Sequence, residues 1–477
     1  MGGTIRGVQL ARLLGAWRGR GPEYAALAAS VRGLLTDGRL ALGVRLPAER
    51  ELAEALGISR TTVSAAYRVL RESGHLVSRR GAGSWTALPA NRRVATSGVW
   101  TPAGVPELDL SCAALPAPPV LADAAAEAVA ELPRYLSTAG YHPTGLPALR
   151  EAVAAMFRDR GLPTSPDQIM ITNGVQHALD LTLRLLAPPG HSVLVEVPTY
   201  PNALVGISAG RRRVVPHGLT DDGWDDDLLL TALRQTRPRL AYLIPEFHNP
   251  TGHLMPLGLR EALPGAAHAA GTDLVIDETF VDLPLDGQPV PPPVACFDRH
   301  ARVFTVGGMS KPFWGGLRIG WIRTAAPLVQ RLAAVRVGVD MAGPVLDQLV
   351  AVRMLARAAE VVAHRRAELR ARRDTLVAAV RRELPEWRVR VPTGGVSLWA
   401  ELDAPVSSAL ARTAERRGVR IAPGPRFGLD GTMERFLRLP YTLPEADLVD
   451  AVSRLAAARA DLDEGARPTW SEPALVA

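Results

Sequence analysis

FTVGGMSKPFWGGLRIGW, residues 304–321, holds the single lysine of this chain, Lys311; the other 54 of its 55 basic side chains are arginine. Arginine can supply surface charge, ion pairs and phosphate contacts. It cannot form an imine with an aldehyde, because its guanidinium stays protonated and poorly nucleophilic. A lone lysine is therefore a candidate for amine chemistry. It follows a short apolar run that reads as a strand, which sets the amine at a strand end beside a crevice. Outward from this stretch, the runs QIMIT, HSVLVEV, RRRVVP, LAYLIP, DLVID and RVFTVG alternate with helical segments. Such alternation predicts an α/β domain, a mostly parallel sheet covered by helices on both faces.

From about residue 346 the pattern changes. A long Arg/Ala-rich helix over 346–384 precedes strands near Trp387–Val391 and Val396–Glu401 and then another helix, which predicts a smaller α+β lobe. The body thus spans 107–460, with a large lobe over about 120–345, a small lobe over about 346–460 and a tail over 461–477. No internal repeat is evident.

An aldehyde cofactor such as pyridoxal 5'-phosphate requires more than an amine. It needs an acid at its ring nitrogen, which Asp277 at the end of DLVID can provide. It also needs a phosphate cradle. ITNGVQHALDL leads from a strand through Gly174, Val175 and Gln176 into a helix whose first N–H groups can hold an anion. Arg318, seven residues beyond the lysine, adds a bidentate cation. Tyr200 in VEVPTYPN offers an aromatic face, and Asn249 in HNPTG a donor for a ring hydroxyl.

The other end of the chain reads differently. GPEYAALAASVRGLLT (21–36) has amphipathic helical spacing. Pro47 opens a helix to about Leu56, Gly57 makes a tight turn, and Ser59 caps a second helix from Arg60 to Ser73. LVSRRGAGSWTAL follows as two short strands around a turn. Helix, turn, helix and wing over residues 1–85 form a winged helix-turn-helix, and 86–106 reads as a linker. In the second helix Arg60, Thr61 and Thr62 fall in the first turn, where side chains face a major groove. Arg45 and Arg50 are placed to grip phosphates, as are Arg79 and Arg80 in the wing. Val63, Tyr67 and Leu70 make the inner face.

Charge supports this division. Residues 1–100 carry fifteen arginines against six acids, whereas the remainder is slightly acidic, in a chain of net charge +7. A basic end on a near-neutral body points to a polyanion partner, double-stranded DNA. Two cysteines, Cys112 and Cys296, exclude a disulfide scaffold and fit a reducing cytoplasm. No membrane span and no secretory signal are expected.

The stretch LALGVRLPAERELAEALGISRTTVSAAYRVLRESGHLVSRRGAG resembles the winged-helix domain of the GntR family of bacterial regulators. The resemblance implies DNA contacts from Arg45, Arg50, Arg60, Thr61 and the wing near Gly81, and binding as a dimer. YHPTGLPALREAV, ITNGVQHALDL, VEVPTYPN, HNPTG, DLVIDETF, SK-x6-RIGW and FLRLPY resemble class I/II aminotransferases, which have the type I fold of pyridoxal-phosphate enzymes. That likeness implies the following roles: Lys311 (after Ser310) as covalent anchor, Asp277 at the pyridine nitrogen, Arg318 at the phosphate and Arg438 at an amino-acid carboxylate. Tyr141 is implied to reach the partner subunit's cofactor phosphate. Two departures stand out: Phe280 where the family often has a tyrosine, leaving Asn249 to bond the ring oxygen, and Gly308 where a serine or threonine often helps hold the phosphate.

Head and body together resemble the MocR subfamily of regulators. This implies a head-to-tail homodimer and an effector that is the cofactor or its adduct with an amine or amino acid. Ligand engagement at Lys311 would close the lobes and alter the spacing of the heads on DNA. An active aminotransferase with an accessory head, and after it a DNA-binding protein with a purely structural body, are the competing readings.

Overall fold

The computed structural model describes residues 3–19, 21–79, 83–89 and 107–465, with the backbone alone for Arg79 and for residues 463–465. The head contains helices α1 (Gly7–Leu14), α2 (Glu23–Thr36), α3 (Glu49–Leu56) and α4 (Arg60–Glu72), followed by strands β1 (Leu76–Arg79) and β2 (Gly83–Thr86). Gly57 ends α3 at φ 64°, the left-handed conformation that a glycine adopts without Cβ strain. The Ser59 side chain accepts from the Thr62 N–H at 3.0 Å, so the cap expected from sequence is in place. Val63, Tyr67 and Leu70 are buried, with Leu10, Leu27, Val31 and Leu52 in the same core. The β1–β2 ribbon is antiparallel, as a wing requires. Helix α1 was not expected from sequence.

The body begins with β3 (Leu108–Leu110). Its large sheet then collects β4 (Ile169–Thr172), β5 (Ser192–Val197), β6 (Arg213–Gly218), β7 (Leu240–Leu243), β8 (Asp273–Asp277), β9 (Val303–Gly308) and β10 (Gly320–Arg323) in the order β4-β10-β9-β8-β7-β5-β6. All pairings are parallel except those of β10, which runs antiparallel between β9 and β4. The six expected strands are all present. Their buried residues are mostly apolar because helices cover both faces, with Glu196, His217 and Thr305 among the buried polar exceptions.

The small lobe is a five-stranded sheet of β11 (Arg388–Val389), β12 (Ser397–Glu401), β13 (Val419–Pro423) and β14 (Phe436–Pro440), in the order β11-β12-β14-β13-β3. Thus β3, which enters from the linker side, pairs with β13 from more than 300 residues away. Its three residues belong to the small lobe, although they precede the large one in sequence.

Two boundaries differ from expectation. The helix expected over 346–384 is two helices, Val345–Leu355 and Ala358–Glu383. The first packs into the large-lobe core and meets the helix Leu121–Glu131 through Arg353–Glu131 at 2.5 Å, while Arg357, between the two helices, meets Glu127 at 2.5 Å. The second starts in the large-lobe core with Val361 and joins the small-lobe core from Leu369, so the change of lobe falls within this helix and not at 346. The last helix, Glu445–Gly465, also runs past the expected body end at 460. Among the described residues, no helix is long and apolar enough to cross a membrane.

Within one chain the head rests on its own body. The Met433 N–H donates to Thr36 O at 2.7 Å, Arg435 lies 3.8 Å from Asp37, and Arg39 lies 3.4 Å from Asp221. Burial at this seam pushes the Asp37 carboxyl up to about 6.

Candidate functional site

In an open α/β sheet the crevice lies outside the carboxyl ends of the parallel strands, and the expected body residues converge there. Lys311 stands in a single tight turn, Ser310–Trp314, directly after β9. Its Nζ donates to Ala113 O at 2.7 Å and lies 5.8 Å over the Phe280 ring. Desolvation lowers the amine to about 8 from its usual value above 10. The charges of Asp277 and Arg438 both reach it.

Asp277 ends β8 and is buried. Its Oδ2 accepts from the Tyr242 hydroxyl at 2.6 Å, while Oδ1 accepts from the Thr279 N–H at 2.9 Å and the Thr279 hydroxyl at 2.5 Å. Burial raises its pKa, and these three donors oppose that rise. Sequence reading missed Tyr242. The available signal was a hydroxyl-bearing side chain inside LAYL, an otherwise apolar strand next to the one that ends in Asp277.

The helix Val175–Leu186 follows β4 and begins at Gly174, with φ 84° and no side-chain cap, so its first N–H groups lack a side-chain acceptor. Arg318, held at φ 53°, donates from Nη2 to Asn173 O at 2.9 Å; a Cβ on Gly174 would stand 2.7 Å from that same nitrogen. Uncapped N–H groups beside a guanidinium, in a space that only glycine keeps open, form an anion cradle. Gly308 has a physical reason too. A Cβ there would lie 3.0 Å from both Ile319 O and Val175 Cγ2, so a larger side chain would need its neighbours to give by a few tenths of an ångström. Gly320 is tighter still, with Gly174 backbone 2.6 Å from the Cβ position.

Tyr200 caps the helix Pro201–Ala209 after β5; its hydroxyl accepts from Asn202 at 2.9 Å, and it senses the charges of Asp277, Arg318 and Arg438. Gln176 also reaches this turn, donating to Asn202 O at 3.2 Å. Asn249 follows β7 and is buried, its Oδ1 3.4 Å from Arg438 Nη1. Arg438, on β14, is itself buried, lies 4.8 Å over the Phe427 ring and donates from Nη2 to Ser111 O at 2.6 Å. Burial lowers it to about 10. Tyr141 alone among the expected body residues is not gathered in; it is 63% exposed.

The site therefore fits pyridoxal phosphate on its own observations: a desolvated amine, a buried acid already oriented by neighbours, and an uncapped helix start beside Arg318.

On the head, Arg60 and Thr61 are exposed in the first turn of α4, with Thr62 half-buried beside them. Ser59 Oγ holds the Thr61 and Thr62 hydroxyls at 2.7 and 2.8 Å. Arg45 and Arg50 are exposed, and the Arg45 guanidinium lies 5.9 Å over Trp85 of the wing. The side chain of Arg79, and Arg80 and Gly81, lie outside the described residues.

Residues 113–455 match the family model for aminotransferase class I and II, and residues 23–85 that for the gntR family of bacterial regulatory proteins. The chain belongs to the class I and II aminotransferases and bears a GntR head. Its relatives fall in two groups. The HTH-type transcriptional regulator TauR of Rhodobacter capsulatus is 28% identical over 92% of this chain and 97% of its own length. The 2-aminoadipate transaminase of Thermus thermophilus is 33% identical over 72% of this chain and 88% of its own. The crystal structure of LysN, an alpha-aminoadipate aminotransferase from Thermus thermophilus complexed with N-(5'-phosphopyridoxyl)-L-leucine, superposes with a TM-score of 0.68. It is 31% identical and covers 75% of this chain and 93% of its own. This GntR-headed aminotransferase relative is thus a DNA-binding regulator of MocR type with a pyridoxal-phosphate body.

The site yields one immediate expectation. In Tyr242→Phe the buried Asp277 carboxylate loses a 2.6 Å donor and nothing replaces it. A hydrogen bond to a charged group contributes roughly 1.5–3 kcal/mol, so cofactor affinity falls about ten- to a hundredfold. Titration with pyridoxal phosphate, followed by visible absorbance, measures this; an unchanged isotherm would exclude a role for Tyr242.

Proposed function

We propose that this chain regulates transcription by sensing, at Lys311, pyridoxal 5'-phosphate or its adduct with an amine or amino acid. The observation that carries the reading is that the chain's one lysine has its amine desolvated at the strand-end crevice, beside Asp277 and Arg438, in a body joined to a DNA-binding head. In this reading Lys311 is the covalent anchor, Asp277 faces the ring nitrogen, Asn249 the ring oxygen and Tyr200 the ring face. Gly174, Val175, Gln176, Ser310 and Arg318 hold the phosphate, and Arg438 binds a ligand carboxylate. Bound there, the cofactor supplies an aldehyde for amines and a protonated ring that withdraws electrons.

The chain's own residues set the conditions. Asp277, whose carboxylate form accepts from Tyr242 and Thr279 against the upward push of burial, would hold a proton on the ring nitrogen. The neutral form of Lys311 is the nucleophile. Burial disfavours the protonated amine, so the neutral fraction grows through a midpoint near pH 8 rather than the ordinary 10.5. The rate of cofactor attachment to cofactor-free protein is expected to rise about tenfold per pH unit below that midpoint and to level off above it. A midpoint at the ordinary lysine value would contradict an enclosed amine.

On the head, Arg60, Thr61 and Thr62 read base edges; Arg45 and Arg50 grip phosphates, joined by Arg79, Arg80 and Gly81 of the wing. A homodimer, head-to-tail, follows from the family resemblance. It is supported by an exposed apolar set near the phosphate cradle: Leu136, Tyr141, Val337, Val339 and Met341. The loop bearing the last three touches the cradle through Asn173 Nδ2 and Asp340 Oδ2 at 2.6 Å.

The second reading, an active aminotransferase with an accessory head, draws on the 33%-identical transaminase relative. One preparation separates the two. The regulator reading expects DNA affinity to change when an amine or amino acid is added, without multiple turnovers between an amino donor and a keto acid. Sustained turnover with unchanged DNA affinity would favour the enzyme.

A further inference from the structure

The head touches the body at the carboxyl ends of β5 and β6, the same sheet edge that carries the cofactor pocket. A Cβ on Gly218, which ends β6, would stand 2.7 Å from Gly38 O. A Cβ on Gly38 would stand 3.5 Å from Val197 Cγ1 of β5 and would run into Met433 Cε. Residues 424–433, between β13 and β14, reach both this contact and the pocket. At their pocket end the buried Phe427 ring lies 4.8 Å from the Arg438 guanidinium, and Phe427 O accepts from the Thr199 N–H at 2.9 Å, one residue before Tyr200. At their head end Met433 is buried, with its N–H on Thr36 O at 2.7 Å and its side chain against Gly38.

This stretch is tied into one piece. Thr432 bonds back to Leu429 O through its N–H at 3.0 Å and its hydroxyl at 2.8 Å. A Cβ on Gly424 would run into Met433 O, so the two ends of the segment touch. Compact loops of about 6–16 residues whose ends meet are packed by their own side chains. Met433 stands at φ 72° and Asp430 at φ 51°, left-handed backbone that a non-glycine residue keeps only where its surroundings over-determine it. For Met433 those surroundings include the head: its N–H is held by Thr36 O, while its own carbonyl accepts from the Phe436 N–H at 2.9 Å.

We propose that residues 424–433 are a strap through which filling of the cofactor pocket tightens the body's hold on the head, with Met433 and Gly38 as the point of contact. This rests on the reading of Lys311, Tyr200 and Arg438 as the pocket. A ligand that packs on Tyr200 and engages Arg438 bears on Phe427 from the pocket side. Because the segment is closed on itself, the restraint at Phe427 passes to Met433 rather than being lost in a slack loop. The coupling is reciprocal, so a head docked on Met433 holds the ligand more tightly by the same factor.

The test uses the full-length chain freed of cofactor, with and without saturating N-(5'-phosphopyridoxyl)-L-leucine, whose binding is first established by calorimetry. The readout is amide hydrogen exchange at Met433 and at Gly38 and Leu40, whose N–H groups are bonded to Leu35 O and Leu34 O. In wild-type protein the conjugate is expected to slow exchange at all three by roughly fivefold or more, the lower end of ordinary coupling between sites. Met433→Gly suits φ 72° and removes the side chain that meets Gly38. In that variant the conjugate should still slow exchange at Thr199 and leave Gly38 and Leu40 unchanged. Unchanged or faster exchange at Gly38 and Leu40 of wild-type protein with the conjugate bound overturns the strap. So does a Met433→Gly protein in which those amides are protected as strongly as in wild type. The wild-type measurement decides alone should the variant not fold. A conjugate that does not bind overturns the reading of the pocket and the strap with it, and calorimetry tells that failure from a bound ligand with an unmoved head.

Discussion

Lys311→Ala protein is expected to emerge colourless, to show no aldimine absorbance band with added pyridoxal phosphate, and to carry no cofactor after borohydride reduction. The effect is all-or-none because the chain has no second lysine and arginine cannot replace the amine. Residual non-covalent binding should persist, since the cradle at Gly174 and Arg318 and the Asp277–Tyr242 pair are untouched. The fold should persist too, because Lys311 makes a single hydrogen bond, to Ala113 O, and no ion pair. A lysine bearing that bond and a desolvated amine contributes reactivity rather than stability. Lys311→Arg should behave like the alanine variant in colour, which separates loss of charge from loss of the amine.

The second large effect lies on the head. Arg60→Ala should weaken binding to DNA from upstream of the protein's own gene by about ten- to a hundredfold, the 1–3 kcal/mol that one good base contact contributes. Arg60 is well exposed and, among the described residues, its ion-pair partner is Glu49 at 3.5 Å. Such surface pairs add little stability, so a binding loss cannot be ascribed to unfolding. Arg50→Ala, in contrast, should weaken all DNA sequences alike and lower the salt dependence by about one counterion. Fluorescence anisotropy at two salt concentrations distinguishes these cases. If Arg60→Ala behaved like Arg50→Ala, α4 would not be the reading helix.

Why the head was so legible in sequence follows from local chemistry. Gly57 at the left-handed turn, Ser59 as a cap, and Val63, Tyr67 and Leu70 on one helical face are short-range signals, and each occupies its expected place. The six strand runs of the large lobe were legible for a similar reason, since strands buried on both faces read as unbroken apolar runs. Lys311, Asp277, Gly174, Arg318, Tyr200 and Asn249 converge because each stands at or just beyond a strand end.

What sequence did not disclose depends on distant partners. LDL at 108–110 is too short to announce a strand, and becomes one only by pairing with Val419–Ile421. The break near residue 356 falls where Arg353 and Arg357 meet Glu131 and Glu127 of a helix more than 200 residues away, partners that the local sequence does not announce. Tyr242 looked like core because its meaning depends on the neighbouring strand that carries Asp277. Helix α1 buries Leu10 and Leu14 against Leu27, Val31 and Leu52, partners that lie beyond its own eight residues.

The most direct test of the central claim is the DNA affinity of wild-type and Lys311→Ala protein, each measured with and without pyridoxal phosphate plus an amino acid. Wild-type affinity should shift by roughly fivefold or more on ligand addition, whereas the variant should not respond. Superimposable wild-type isotherms with and without ligand would contradict the account.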